Sequence, residues 1–149
     1  MPVLTGSSSA EVEFAIERCW ALVADIERAP QWQRTLEQVE VVERDDQGRA
    51  LICDTVSDAK LTKVRSRVRV SYEPPRRVRW TQVSGDDLDS MDGSWELAPL
   101  GAELTRATYE LAVDPGPIGF LARPLERAIR PLVIGRQASE LAQALAAGN

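Results

Sequence analysis

The stretch Val64-Arg65-Ser66-Arg67-Val68-Arg69-Val70-Ser71-Tyr72, broken by Glu73-Pro74-Pro75 and answered by Arg77-Val78-Arg79-Trp80-Thr81-Gln82, decides the fold. Val64, Val68, Val70 and Tyr72 fall on one side and Arg65, Arg67 and Arg69 on the other, the period of two of an extended chain with one buried face. The proline pair cannot continue a hydrogen-bonded ladder. The run that follows repeats the alternation, with Val78, Trp80 and Gln82 against Arg77, Arg79 and Thr81. Two antiparallel strands with one apolar and one charged face are predicted here.

The pattern extends in both directions. Upstream, Val39, Val41 and Val42 lead to the turn Asp45-Asp46-Gln47-Gly48 and on to Leu51–Val56, which reads as a hairpin. Downstream, Gly85 to Asp87 turns the chain. Gly93, Trp95 and Leu97 then oppose Asp92, Ser94 and Glu96, and after Pro99 to Gly101 the residues Ala107, Tyr109, Leu111 and Val113 oppose Arg106, Thr108 and Glu110. Near the N-terminus, Val12, Phe14 and Ile16 alternate with Glu11, Glu13 and Ala15, predicting strand 1. From Glu17 the spacing turns helical around Cys19, Trp20, Val23 and Ala24, and Asp25 is placed to cap a second short helix through Pro30 to Arg34. After the turn formers Asp114-Pro115-Gly116-Pro117 and Gly119, apolar residues recur at Leu121, Leu125, Ile129, Leu132, Ala138, Leu141 and Leu145. A long amphipathic helix is expected, kinked at Pro131 and open to close backbone approach at Gly135.

The predicted fold class is α+β: a curved seven-stranded antiparallel sheet around a long C-terminal helix, with two short helices between strands 1 and 2. Only that last helix is long enough to cover the apolar face of the sheet, and a twisted sheet curls around such a helix, leaving a gap between them. At 149 residues, without a repeat or a linker, the chain 1–149 is expected to be a single domain.

Composition narrows the chemistry. There is no histidine, which removes Ser/His/Asp and Cys/His catalysis and His-ligated zinc. Cys19 and Cys53 differ in context and are expected to be buried free thiols, with neither a disulfide nor a metal site. A net charge of -5 argues against nucleic acid and anionic membrane surfaces as partners. No apolar run suits membrane insertion and the first ten residues do not resemble a signal peptide, so a cytoplasmic location is expected.

Four stretches carry a family resemblance. They are Trp20-Ala-Leu-Val-Ala-Asp25-Ile-Glu-Arg-Ala-Pro30-Gln-Trp32, Val70-Ser-Tyr72-Glu-Pro-Pro75-Arg-Arg-Val78-Arg-Trp80, Gly93-Ser-Trp95-Glu-Leu97, and Leu104-Thr105 through Tyr109-Glu-Leu-Ala-Val-Asp114-Pro-Gly116. Together they resemble the polyketide cyclase/dehydrase and lipid-transport group of the START-like, Bet v 1-like superfamily (SRPBCC), over nearly the whole chain. The resemblance implies a helix-grip fold with a hydrophobic cavity, and it places Trp32 at one side of the cavity mouth. It does not choose among carriers, receptors, cyclases and quinone-binding proteins.

The expected partner is an apolar small molecule, a lipid, isoprenoid or polyketide, with no cofactor and no metal. Strand phase puts Val68, Trp80, Trp95 and Tyr109 on the concave face, with Met91 beside them and Leu121, Leu125 and Ile129 facing them from the helix; each of these also suits a plain core. Ser66, Gln82 and the Tyr109 hydroxyl are the candidate polar anchors, because a polar group in an apolar pocket must find a partner. The arginines of the deciding stretch read as a solvated face paired with Asp92, Glu96 and Glu110. The connector Asp114 to Gly119 suits either a lid or a simple turn. The other reading is an aromatase/cyclase-like enzyme, for which Tyr109 with Arg123 or Arg127 is the best available pair; no catalytic residue is assigned.

Overall fold

A computed structural model describes residues 4–58, 63–116 and 134–148. Strand β1 (Leu4–Val12) is followed by helix α1 (Ile16–Val23), a 3-10 helix (Ile26–Gln31), strands β2 (Leu36–Arg44), β3 (Ala50–Asp58), β4 (Lys63–Glu73), β5 (Arg77–Ser84), β6 (Ser90–Gly101) and β7 (Leu104–Asp114), and helix α2 (Gln137–Ala146). The strands form one antiparallel sheet in the order β1-β7-β6-β5-β4-β3-β2. Hairpins thus build the meander β2 to β7, while β1 closes against β7 at the far edge.

The deciding stretch forms β4 and β5, paired with Val70 opposite Trp80 and Tyr72 opposite Val78. Ser66, Val68 and Val70 are buried while Arg65, Arg67 and Arg69 are exposed, so the strand phase is as read. Register shifts in β2/β3, β4/β5 and β6/β7 mark irregularities of the kind that bend strands and increase their twist. The sheet therefore curves, and its concave side carries Val68, Val70, Val78, Trp95, Ala107, Tyr109 and Leu111, packed with Cys19 and Val23 of α1 and Leu141 and Leu145 of α2.

Strand 1 lies earlier than its apolar alternation suggested. It spans Leu4–Val12; Phe14 falls in a bend and Ile16 opens α1. Gly6 to Ser9 are small and polar, so hydropathy hides a strand whose ladder to β7 supplies its order, Ser8 lying opposite Tyr109. The Ser8 hydroxyl also accepts the Ala138 N–H at 3.1 Å, satisfying a donor in the first turn of α2. The second short helix is present as the 3-10 helix, which ends at Gln31 and not at Arg34, and the Asp25 side chain makes no capping hydrogen bond; its carboxylate instead stands 4.0 Å from Arg28.

Helix α2 buries Ala138, Leu141 and Leu145, the end of the apolar series read in sequence, and packs on β1 and β7. Leu121, Leu125, Ile129, Leu132 and the expected kink at Pro131 lie outside the described residues, as does the connector beyond Gly116. In the described part of that connector, the Asp114 carboxylate accepts the Gly116 N–H at 3.0 Å, and Gly116 takes a φ of 55°, which glycine adopts without strain.

The convex face carries two of the expected pairings, with Asp92 and Glu96, and one with Asp54 that was not expected; Glu110 makes no ion pair among the described residues. Arg67 holds Asp54 at 2.7 Å, Arg79 holds Asp92 at 2.7 Å, and Arg77 lies 3.5 Å from Glu96. Cys19 and Cys53 are buried free thiols, and burial pushes Cys53 up to about 11. Among the described residues no helix is long and apolar enough to cross a membrane, and no cluster of three metal-ligating side chains occurs.

Candidate functional site

Between the concave sheet and the helices lies a cavity of about 90 Å³. Every secondary-structure element from α1 to β7 contributes to its wall, and Gln137 adds the first turn of α2. No charged side chain lines it among the described residues.

Its aromatic wall is a chain of four rings. Trp32 meets Trp95 at 6.0 Å between centroids, Trp95 meets Tyr109 at 5.1 Å, and Tyr109 meets Trp80 at 5.8 Å, all tilted. Strand register makes this possible, because Trp95 is opposite both Tyr109 on β7 and Val78 on β5, while Trp80 is opposite Gly93. The indole of Trp80 lies across that glycine: a Cβ at residue 93 would come within 2.3 Å of the ring. Glycine inside a strand pattern marks such a close backbone approach. Trp32 follows the 3-10 helix, its backbone N–H bonded to the Ala29 carbonyl at 3.1 Å, and its side chain lines both the cavity and a surface groove of about 420 Å³ beside α1.

Six of the residues singled out in sequence, Trp32, Val68, Trp80, Met91, Trp95 and Tyr109, thus share one cavity. Two do not. Ser66 donates to Gln82 Oε1 at 2.7 Å, and Gln82 Nε2 donates to the Leu88 carbonyl at 2.9 Å. Their polar groups satisfy each other and clamp the β5–β6 connection, outside the cavity lining. Strand phase placed them inward correctly but could not show that they are neighbours on adjacent strands. Leu121, Leu125 and Ile129 lie outside the described residues, as do Arg123 and Arg127.

Several polar residues escaped the reading, among them Thr35, Thr55 and Ser57 in the lining. Gln33 lines the cavity just after Trp32; Gln137 and Glu140 lie three apart at the start of α2 and are 2% and 6% exposed. Gln137 Nε2 donates to Thr35 Oγ1 at 3.2 Å, and Glu140 Oε2 accepts the Arg34 N–H at 3.1 Å, so both stitch α2 to the segment that follows the 3-10 helix. Their three-residue spacing, continued by Ala144, widens the buried face of the helix, and that was the available signal. Burial, helped by the Glu140 charge, raises the Tyr109 phenol well above the usual tyrosine range. It therefore stays protonated at neutral pH.

The fold geometry matches known structures closely. A START superfamily protein from Mycobacterium smegmatis superposes with a TM-score of 0.79 at 19% identity, covering 97% of this chain and 99% of that one. The Zhui aromatase/cyclase from a Streptomyces species gives 0.77 at 15% identity over 99% and 97% of the two chains. A protein from Thermus thermophilus gives 0.77 at 24% identity over 99% and 100%. No curated protein sequence matches this chain. These likenesses establish the START-like, Bet v 1-like helix-grip fold. The sequence pattern of one family extends across residues 12–137, from the last residue of β1 to the first of α2, and on that match the chain belongs to the polyketide cyclase/dehydrase and lipid transport family.

Proposed function

We propose that this protein binds an apolar small molecule, a lipid, isoprenoid or polyketide, in the cavity between the sheet and the helices. The observation that carries this reading is the aromatic wall: Trp32, Trp95, Tyr109 and Trp80 stand in sequence around a hollow whose described lining holds no charge. Apolar walls with a few placed polar groups are what a small-molecule site requires. At about 90 Å³ the hollow is smaller than the roughly 150 Å³ that holds a benzene ring. A larger ligand must therefore part the walls, and the flexible Met91 and the groove-side Trp32 are the lining residues best placed to yield.

Binding suits the site better than cyclase-like chemistry on the same residues. Tyr109 is held protonated, so it serves as a hydrogen-bond donor and is a poor proton acceptor. The test is uptake of N-phenyl-1-naphthylamine by the purified protein, followed by native mass spectrometry and by quenching of tryptophan fluorescence. One molecule per chain, displaced by lipids or polyketides, is expected. Failure to take up this probe, or any other compound of an apolar panel, removes the basis of the reading.

A further inference from the structure

In and beside the wall of the cavity stand polar atoms that have no hydrogen-bond partner among the described residues. Trp32 Nε1, Gln137 Oε1 and Glu140 Oε1 are buried and have no hydrogen-bond partner among the described residues. Trp32 and Gln137 line the cavity themselves. The three belong to one locality, because Gln137 is tied to Thr35 and Glu140 to the Arg34 backbone, immediately after Trp32, and Gln137 and Glu140 share a face of α2. A fourth polar group lines the same cavity: the Tyr109 hydroxyl, which has no hydrogen bond among the described residues.

Unpaired buried polar groups are uncommon, since each one costs about 1–3 kcal/mol relative to a satisfied one. Here they comprise two acceptors, the Gln137 and Glu140 oxygens, and two donors, the indole N–H and the phenol O–H. Glu140 is only half satisfied, because its other oxygen takes one backbone N–H and the nearby Arg34 side chain, 3.9 Å away, is 80% exposed. A purely apolar ligand leaves all four unpaired. A carbonyl or ether takes up the donors and leaves the acceptors. A hydroxyl both donates and accepts, and so can meet either kind of group.

We infer that the part of the cavity lined by Trp32, Tyr109 and Gln137, with Glu140 on the same buried face of α2 as Gln137, is a recognition site for a neutral hydroxyl on an otherwise apolar ligand, an alcohol or a phenol. This rests on the binding reading above and adds the functional group that the ligand must carry. The aromatic chain holds the body of the ligand and the polar groups set its orientation.

The experiment compares three probes of nearly equal size: 2-naphthol, which donates and accepts; 2-methoxynaphthalene, which only accepts; and 2-methylnaphthalene, which does neither. Affinities are measured by isothermal titration calorimetry on the full chain. 2-Naphthol is expected to bind on the order of tenfold more tightly than 2-methylnaphthalene, the ratio that pairing one buried unsatisfied group is worth. It should also bind more tightly than 2-methoxynaphthalene. In Gln137→Leu and Trp32→Phe, the ratio of 2-naphthol to 2-methylnaphthalene affinity should fall toward one. Equal binding of the three probes by the unaltered protein, or a ratio unchanged in both variants, overturns this inference and leaves the binding reading standing. Binding of none of the three overturns both.

Discussion

At Gly93 a hydrogen stands where any other residue would place a Cβ 2.3 Å from the Trp80 ring. Gly93→Ala must therefore push the indole off the cavity wall, and overpacking of this kind costs about 1–3 kcal/mol. A lower urea midpoint and a changed near-ultraviolet dichroism of Trp80 are expected. The close approach was half legible in the sequence, which shows glycine at a concave strand position but not the residue that lies over it; that depends on the register between β5 and β6. Ser66 and Gln82 teach the same lesson from the other side. Their inward phase was readable, while their mutual hydrogen bond depends on how β4 and β5 are paired. Gln82→Leu should loosen the connection to Leu88 and lower stability by about 1–3 kcal/mol, with the unpaired Ser66 hydroxyl left behind, as measured by urea unfolding.

Among the elements, α2 is the one whose packing closes the core. Leu141 is fully buried against the concave sheet, so Leu141→Ala should cost about 2–5 kcal/mol in a urea titration. The 3-10 helix has a different role, since it ends at Trp32, which separates the inner cavity from the groove beside α1. Trp32→Ala should open that wall and speed release of a bound probe, which stopped-flow fluorescence would show as a larger dissociation rate. The helix-to-sheet assignments were legible wherever hydropathy alternated cleanly. They failed at β1, where Gly6-Ser-Ser-Ser9 has no apolar pattern and order comes from the ladder to β7; the second short helix was legible, though it ends at Gln31 and not at Arg34.

For the molecule as a whole, carboxylates held by arginines on the sheet and in the β2–β3 turn link stability to pH. The Arg67 hydrogen bond holds the Asp54 carboxyl below its ordinary value; at Asp92, burial acts upward but the hydrogen bonds from Arg79 and Thr81 outweigh it; at Asp45, the Arg49 side chain and the Arg49 and Gln47 backbone outweigh burial likewise. All three are thus lowered in the folded chain, so the unfolded chain binds protons first as pH falls. Their contribution is complete above about pH 5 and is lost as the pH drops through the unfolded and then the folded values. Urea midpoints measured between about pH 5 and pH 2.5 should decline, and Asp92→Asn should make that decline shallower. What the sequence determined by itself was the phase of each regular strand, because a period of 2 is a local property that one apolar face imposes. Only the tertiary structure decided which inward residues meet. It brought Trp32, Trp95, Tyr109 and Trp80 into one chain of rings and set Gln137 and Glu140, distant in sequence, beside the segment after Trp32, because register and the packing of α2 are relations between elements that no local pattern contains.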